Sequence, residues 1–100
     1  MLNINKKQNG REMVIELDGR LDALTSPMLE SELSGCLNDV GKLIFDMEKM
    51  RYISSAGLRV LLFGQKLMAD NNGSMTLIHV CPEVEEVFDV TGFSSVLNIE

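Results

Sequence analysis

Strand-like and helix-like segments alternate along this chain, and no other feature constrains its fold as strongly. Asn9-Gly10 is a typical hairpin turn between residues 2–6 and 13–17, so the chain is predicted to open with two antiparallel strands. Because strand–helix–strand units pair their strands in parallel, we expect an α/β fold with a mixed, largely parallel sheet and about three α-helices. The remaining predicted strands are 43–47, 74–80 and 96–99, and the helices are about 26–40, 55–69 and a third from residue 82.

The first helix has a predicted start and a predicted end. Thr25 or Ser26 is suited to the N-cap, because Pro27 follows and proline is favoured in the first helical turn. Gly41 is predicted to end the helix. The apolar residues that recur at helical spacing, and are expected to pack on the sheet, are Leu29, Leu33, Cys36 or Leu37, and Val40.

Length and charge limit the classes of function. The 100 residues are expected to form a single domain, because two cores of half this size would each be marginal. The net charge is −6, and the nine basic residues are scattered, so binding to nucleic acid or to anionic lipid is not expected. No apolar run approaches the roughly 20 residues needed to span a bilayer, and residues 1–13 show no secretion signal. We therefore expect a cytoplasmic protein, without membrane insertion, whose partner is another protein or a neutral surface.

The sequence contains no recognisable catalytic or metal-binding motif. His79 is the only histidine and lies in a predicted strand, where a hydrogen-bonded structural role is expected rather than that of a base. Cys36 and Cys81 are predicted to be buried, reduced thiols, since two cysteines are too few for a disulfide framework. Neither a phosphate-binding glycine loop nor metal-ligand spacing is found. We predict a protein that is not an enzyme, with no catalytic residues, no metal and no cofactor.

Two consecutive serines precede the second helix. Ser54 and Ser55 are followed by the small residues Ala56 and Gly57. One interpretation is structural, in which a serine only caps the helix and the small residues allow close packing. The other is regulatory, because a phosphate on Ser55 would be stabilised by the free amides and the dipole of the helix N-terminus. The narrow polar face of this helix would comprise Ser55, Arg59, Lys66 and Asp70, with Phe63 at its edge.

Four segments of the chain resemble, in order, those of the STAS-domain family (sulphate transporter and anti-sigma factor antagonist), especially its free-standing bacterial members. The family motif has a small or acidic residue, a phosphorylatable serine, a small residue, Gly and Leu, and it reads here Ser54-Ser-Ala-Gly-Leu58. The resemblance extends over almost the whole chain and implies a STAS-like fold. The other three segments are Gly19-Arg-Leu-Asp22 with Thr25, Leu43-Ile-Phe-Asp46, and Val87-Phe-Asp-Val-Thr-Gly-Phe93.

The resemblance implies an anti-sigma factor antagonist, which binds an anti-sigma factor serine kinase and so releases a sigma factor. The kinase would phosphorylate Ser55 with ATP and break the complex, and a serine phosphatase would restore it. Many family members have Asp immediately before the acceptor, whereas Ser54 stands here as a competing acceptor. The residues assigned to the partner interface are Asp22, Thr25, Ser54, Ser55, Ala56, Gly57, Arg59 and Phe63.

Two other functions remain open at this stage. STAS domains also occur with membrane transporters, so the chain could be a non-catalytic accessory subunit or docking module of a transport complex. Ser55 would then be no more than a cap. A sensor of small ligands or nucleotides is disfavoured by the lack of a glycine loop that could hold phosphate.

Overall fold

The chain opens with the predicted hairpin. The structure is a computed structural model and describes residues 2–100. Strand β1 (Leu2–Asn9) pairs antiparallel with β2 (Glu12–Leu21). The turn between them contains Gly10 at a φ of +62°, a conformation that glycine adopts without steric cost. Both strands are longer than predicted, but the hairpin itself is confirmed.

The sheet has four strands in the order β1-β2-β3-β4, and β3 (Lys42–Ile53) and β4 (Ser74–Ile78) extend it in parallel. This confirms the predicted mixed, largely parallel sheet. However, β3 continues six residues beyond its predicted end at residue 47. The pairing of β2 with β3 shifts register between Glu16 and Asp18, which places both Glu48 and Lys49 in solvent. Two adjacent exposed charges break the alternation by which a strand is recognised, so this extension was not predictable.

Three α-helices are present in the described residues: α1 (Ser26–Cys36), α2 (Ser55–Asp70) and α3 (Pro82–Thr91). A 3₁₀ turn at Phe93–Ser95 follows α3. The predicted end of α1 at Gly41 is wrong, since the helix stops at Cys36, although Leu37 and Val40 are still buried. Their helical spacing therefore reflected contact with the core rather than continuation of the helix. No helix within residues 2–100 combines the length and apolar character needed to cross a membrane.

The predicted last strand at 96–99 is also wrong. Only a single bridge forms there, a parallel pair of Leu77 with Ile99, next to a hydrogen bond from the Leu77 amide to the Asn98 carbonyl. Val96, the first residue of the predicted strand, has helical backbone dihedrals and closes the 3₁₀ turn, so the segment is not extended from its start. The segment therefore lies at the β4 edge without becoming a strand.

Buried apolar side chains form one cluster between the sheet and its helices. Helix α2 packs against α1, β3 and β4, and α3 contacts β3. Alternate residues on the other face of β2 and β3, including Glu16 and Asp46, are only half-buried. Of the two predicted buried thiols, Cys81 is buried, but Cys36 at the end of α1 is only half-buried.

Candidate functional site

The start of α2 is built by Ser54 and Ser55, which have different roles. Ser54 has extended backbone dihedrals and occupies the N-cap position, where its hydroxyl accepts a hydrogen bond from the Gly57 amide at 3.4 Å. Its carbonyl accepts the first helical bond, from the Leu58 amide at 3.0 Å. Ser55 is the first helical residue and its side chain is exposed. The cap predicted for one of the two serines thus belongs to Ser54, which leaves the Ser55 hydroxyl facing solvent.

Gly57 lets α2 approach the sheet closely. A Cβ atom at this position would lie 2.8 Å from three atoms: Ile53 Cγ1, Leu21 Cγ and the Leu21 carbonyl oxygen. That same carbonyl accepts a hydrogen bond from the Ser54 amide at 2.9 Å. The end of β2 and the start of α2 are therefore held together by one backbone oxygen.

The loop after β2 is organised by Asp22. Its Oδ1 accepts hydrogen bonds from the amides of Leu24 at 3.0 Å and Thr25 at 3.1 Å, and the Thr25 hydroxyl oxygen lies 3.2 Å away. These bonds, first the one from the Thr25 amide, hold the pKa of Asp22 below its ordinary value, and Arg20 adds a smaller favourable charge. The carboxylate is thus fixed by its own loop rather than simply solvated.

Thr25 supports this loop from inside. Only 6% of the residue is exposed. Its hydroxyl donates to the Arg20 carbonyl at 2.7 Å and accepts from the Asp22 amide at 2.9 Å. It occupies the N-cap position of α1 but makes no side-chain cap bond there, so the predicted capping role is wrong for Thr25. Thr25 therefore shapes this loop while presenting little of its own surface to solvent.

The parallel ends of β2 and β3 bring the two loops to one edge of the sheet, where Leu21 pairs with Ile53. Asp22 follows the first strand and Ser54 the second, so the predicted residues from both loops share this edge. The remaining predicted interface residues lie in α2: Arg59 is exposed, Ala56 and Phe63 are half-buried, and Gly57 is buried.

Three residues at this edge were not predicted from the sequence. Leu24 is 87% exposed, the most exposed of the large hydrophobic side chains in residues 2–100. Arg20 lies over the ring of Tyr52, with its Cζ 4.0 Å from the ring centroid. Arg20 of β2 and Tyr52 of β3 are paired in the sheet. The sequence predicts this pairing only if β3 is known to extend as far as Tyr52. Leu24 carried a readable signal, because it is an apolar residue in a loop next to Asp22.

His79 lies away from this edge and outside any strand. It follows β4 with a φ of +58°, so its predicted place inside a strand is wrong. The predicted hydrogen bond does form, as Nδ1 lies 3.0 Å from Asp46 Oδ1. This bond, aided by the charge of Asp46, raises the pKa of His79.

Comparison with known proteins identifies the family. Residues 3–100 match the STAS domain. Of the curated relatives, BtrV of Bordetella bronchiseptica, named as an anti-sigma factor antagonist, is 35% identical over 85 residues, or 83% of this chain and 72% of BtrV.

Solved structures show the same fold. An anti-sigma factor antagonist from Mycobacterium paratuberculosis superposes with a TM-score of 0.87 at 18% identity, over 99% of this chain and 85% of that one. The phosphorylated form of SpoIIAA, a Bacillus cell fate determinant, gives a TM-score of 0.76 at 19% identity, over 98% of this chain and 91% of that one. The chain belongs to the STAS-domain family.

Proposed function

We propose that this chain is an anti-sigma factor antagonist that binds an anti-sigma factor serine kinase and is released when that kinase phosphorylates Ser55. The observation that carries the proposal is the division of roles at the start of α2, where Ser54 caps the helix and Ser55 is exposed. Relatives named as anti-sigma factor antagonists support the class of function. A solved structure of the same fold, SpoIIAA in its phosphorylated form, supports phosphorylation as the modification.

Ser55 is the favoured acceptor on structural grounds. The Ser54 hydroxyl already accepts a hydrogen bond from the Gly57 amide. Transfer of a phosphoryl group to that oxygen would disturb the N-cap of α2. The Ser55 hydroxyl can reach a kinase active site without loss of any helical bond. Ser54 therefore serves as the cap and its neighbour as the acceptor.

The proposed interface consists of the Asp22–Thr25 loop and the first turns of α2. Leu24 supplies an exposed apolar anchor, and half-buried Phe63 extends the apolar surface along the helix. Apolar anchors surrounded by polar side chains are typical of the centre of a protein–protein interface. The carboxylate of Asp22, fixed by its loop, adds a charge of defined position.

Phosphorylation would act on the complex more than on the free chain. It adds about −1.5 to −2 charges at pH 7. In the free chain the helix amides and exposed Arg59, one turn further along α2, can accommodate that charge. A partner packed over Ser55 would have to bury it, and an uncompensated buried charge is strongly unfavourable.

The chain itself would perform no catalysis in this cycle. The kinase supplies phosphoryl transfer from ATP, and a serine phosphatase acting on phosphorylated Ser55 restores binding. We place the cycle in the cytoplasm, with residues 1–100 acting as a single STAS domain. No cofactor is required, because recognition and release depend on surface contacts and charge alone.

The test combines mapping of the phosphate with binding measurements. The chain is incubated with its cognate anti-sigma factor kinase and ATP, and the phosphorylated residue is located by mass spectrometry. We expect phosphate on Ser55 in the wild type and in Ser54→Ala, and none in Ser55→Ala. Phosphate on Ser54, with Ser55 unmodified, would overturn the assignment.

Binding then separates the antagonist from the docking module of a transport complex. Calorimetric titration with the kinase should show binding by the unmodified chain and by Ser55→Ala, and at least about tenfold weaker binding by the phosphorylated chain, a loss of about 1.4 kcal/mol. A chain that is never phosphorylated and does not bind the kinase would refute the antagonist and favour the docking module.

A further inference from the structure

Two carboxylates and one imidazole lie close together where β3 lies beside the end of β4. The ligand atoms of Asp46, Glu48 and His79 all lie within 4.8 Å of one another. Asp46 pairs with Ile78, the last residue of β4, so His79 stands one position beyond that pair. No sequence motif predicted this cluster, because two of its members come from β3 and the third from the residue that follows β4, far along the chain.

Asp46 fixes the geometry of the cluster. Its side chain is 19% exposed, against 57% for that of His79. Its Oδ1 accepts the Glu48 amide at 3.1 Å and lies 3.0 Å from His79 Nδ1. The left-handed backbone of His79 turns the chain so that the imidazole reaches back to β3. The partly buried carboxylate of Asp46 therefore positions both Glu48 and His79.

The cluster borders a cleft of about 380 Å³ across the exposed face of β1, β2 and β3. Its charged lining residues are Glu16, Asp18, Asp46, Glu48 and Lys49. Four carboxylates and one ammonium give the cleft a negative potential, which raises the local concentration of cations. The cleft also has room for water molecules that would complete a coordination shell.

We propose that Asp46, Glu48 and His79 bind a divalent first-row transition metal ion, with Zn²⁺ as the representative, and leave at least one coordination position open to the cleft. An imidazole nitrogen favours these ions over Mg²⁺ and Ca²⁺, which prefer oxygen ligands throughout. This site is independent of the surface proposed for the anti-sigma factor kinase.

The distances suit such an ion after small side-chain rotations. Zn²⁺ binds imidazole nitrogen and carboxylate oxygen at about 2.0–2.2 Å, so ligand atoms of a tetrahedral site lie about 3.4 Å apart. That value falls between the 3.0 Å of the His79–Asp46 bond and the 4.8 Å limit of the cluster. The ion takes the place of the proton shared by His79 Nδ1 and Asp46 Oδ1, and that proton passes to solvent.

The test is a calorimetric titration of the full chain, without a histidine tag, with ZnCl₂. His79 is the only histidine, so its imidazole NMR signals report the ion directly. We expect one saturable site, with the imidazole signals shifted at one equivalent. His79→Gln and Asp46→Asn should weaken binding by roughly tenfold or more. Asp18→Asn, which removes a carboxylate from the same cleft but not from the cluster, should change it by less than about twofold.

A Cys36→Ser variant distinguishes the cluster from adventitious binding by a thiol. This variant should bind Zn²⁺ as the wild type does. The proposal is overturned if no saturable site exists, if His79→Gln binds Zn²⁺ equally well, or if Cys36→Ser abolishes binding. Amide NMR spectra of each variant establish that it is folded, and the exposed position of His79 makes its variant decisive if Asp46→Asn does not fold.

Discussion

Replacing Gly57 with alanine tests how closely α2 (Ser55–Asp70) must approach β2 (Glu12–Leu21). The new Cβ would lie 2.8 Å from Leu21 Cγ, Ile53 Cγ1 and the Leu21 carbonyl oxygen. The two side chains can shift, but the carbonyl belongs to a strand and also accepts the Ser54 amide at 2.9 Å. The start of α2 must therefore move away from the strand.

The expected effect is the difference between two terms. Overpacking of a well-packed site costs about 1–3 kcal/mol, whereas alanine gains at most about 1 kcal/mol over glycine in a helix. Subtracting the full gain leaves a cost of about 0–2 kcal/mol. One of the three clashing atoms is a strand carbonyl, so we expect the upper half of this range, a fall in the free energy of unfolding of about 1–2 kcal/mol. In a domain of this size that corresponds to a fall in Tm of roughly 4–16 °C.

Gly35→Ala is the matched control, because Gly35 also lies in a helix and an added Cβ there would have nothing within 4 Å. It should leave stability unchanged or raise it by up to about 1 kcal/mol. The assay is urea denaturation monitored by circular dichroism. The slope of the unfolding free energy against urea concentration, the m-value, must be the same in each variant so that the midpoints are comparable. If Gly57→Ala unfolds at the same urea concentration as the wild type or higher, the close approach has no energetic role and the reasoning fails.

Variants at three further positions probe the interface proposed for the kinase. Leu24→Ser should weaken kinase binding by at least about tenfold while changing stability by less than about 0.5 kcal/mol. If the urea midpoint of this variant fell together with its kinase binding, Leu24 would have a structural role instead of the proposed binding role. Asp22→Ala should lower the urea midpoint, whereas Asp22→Asn should unfold at a urea concentration close to that of the wild type. Because the pKa of Asp22 is lowered by folding, its charge stabilises the fold above the unfolded pKa of about 4 and loses this effect as pH falls through the folded pKa. Wild type should therefore lose more stability on acidification than Asp22→Asn, and equal losses would contradict the assignment. Ser55→Asp should weaken kinase binding with less than about 1 kcal/mol change in stability. Ser55→Asn, which is uncharged and similar in size, should bind more tightly than Ser55→Asp, and equal binding by the two variants would argue against a role for the charge.

Much of the fold could be predicted because its signals are local. The Asn9-Gly10 turn and the two serines before α2 define the hairpin and a helix start without reference to the rest of the chain. The early end of α1 could not be predicted, since Leu37 and Val40 keep a helical spacing that serves the core instead. The extension of β3 could not be predicted either, because a register shift exposes two adjacent charges and so interrupts the alternation typical of a strand.

The candidate site was predicted less completely, because its residues meet through pairing rather than through sequence spacing. Asp22 and Ser55 could be named from a motif, but the stacking of Arg20 on Tyr52 depends on a strand register that no local pattern reveals. A charge in an exposed loop ordinarily has little effect on the stability of a fold. Asp22 departs from this rule, because its carboxylate accepts hydrogen bonds from the amides of Leu24 and Thr25, which makes the loop more rigid than its sequence suggests.

This rigidity bears on how a phosphate at Ser55 would act. The Leu21 carbonyl is in contact with the Gly57 position and accepts the Ser54 amide, so the start of α2 cannot shift without breaking a bond to β2. The loop that begins at Asp22 follows directly from the same strand end. A modification that moved either loop would have to disturb both and the sheet edge between them. The less costly response would be for the fold to stay as it is. The added charge would then act on the proposed complex, because a partner packed over Ser55 would have to exclude water from it, whereas the free chain would not.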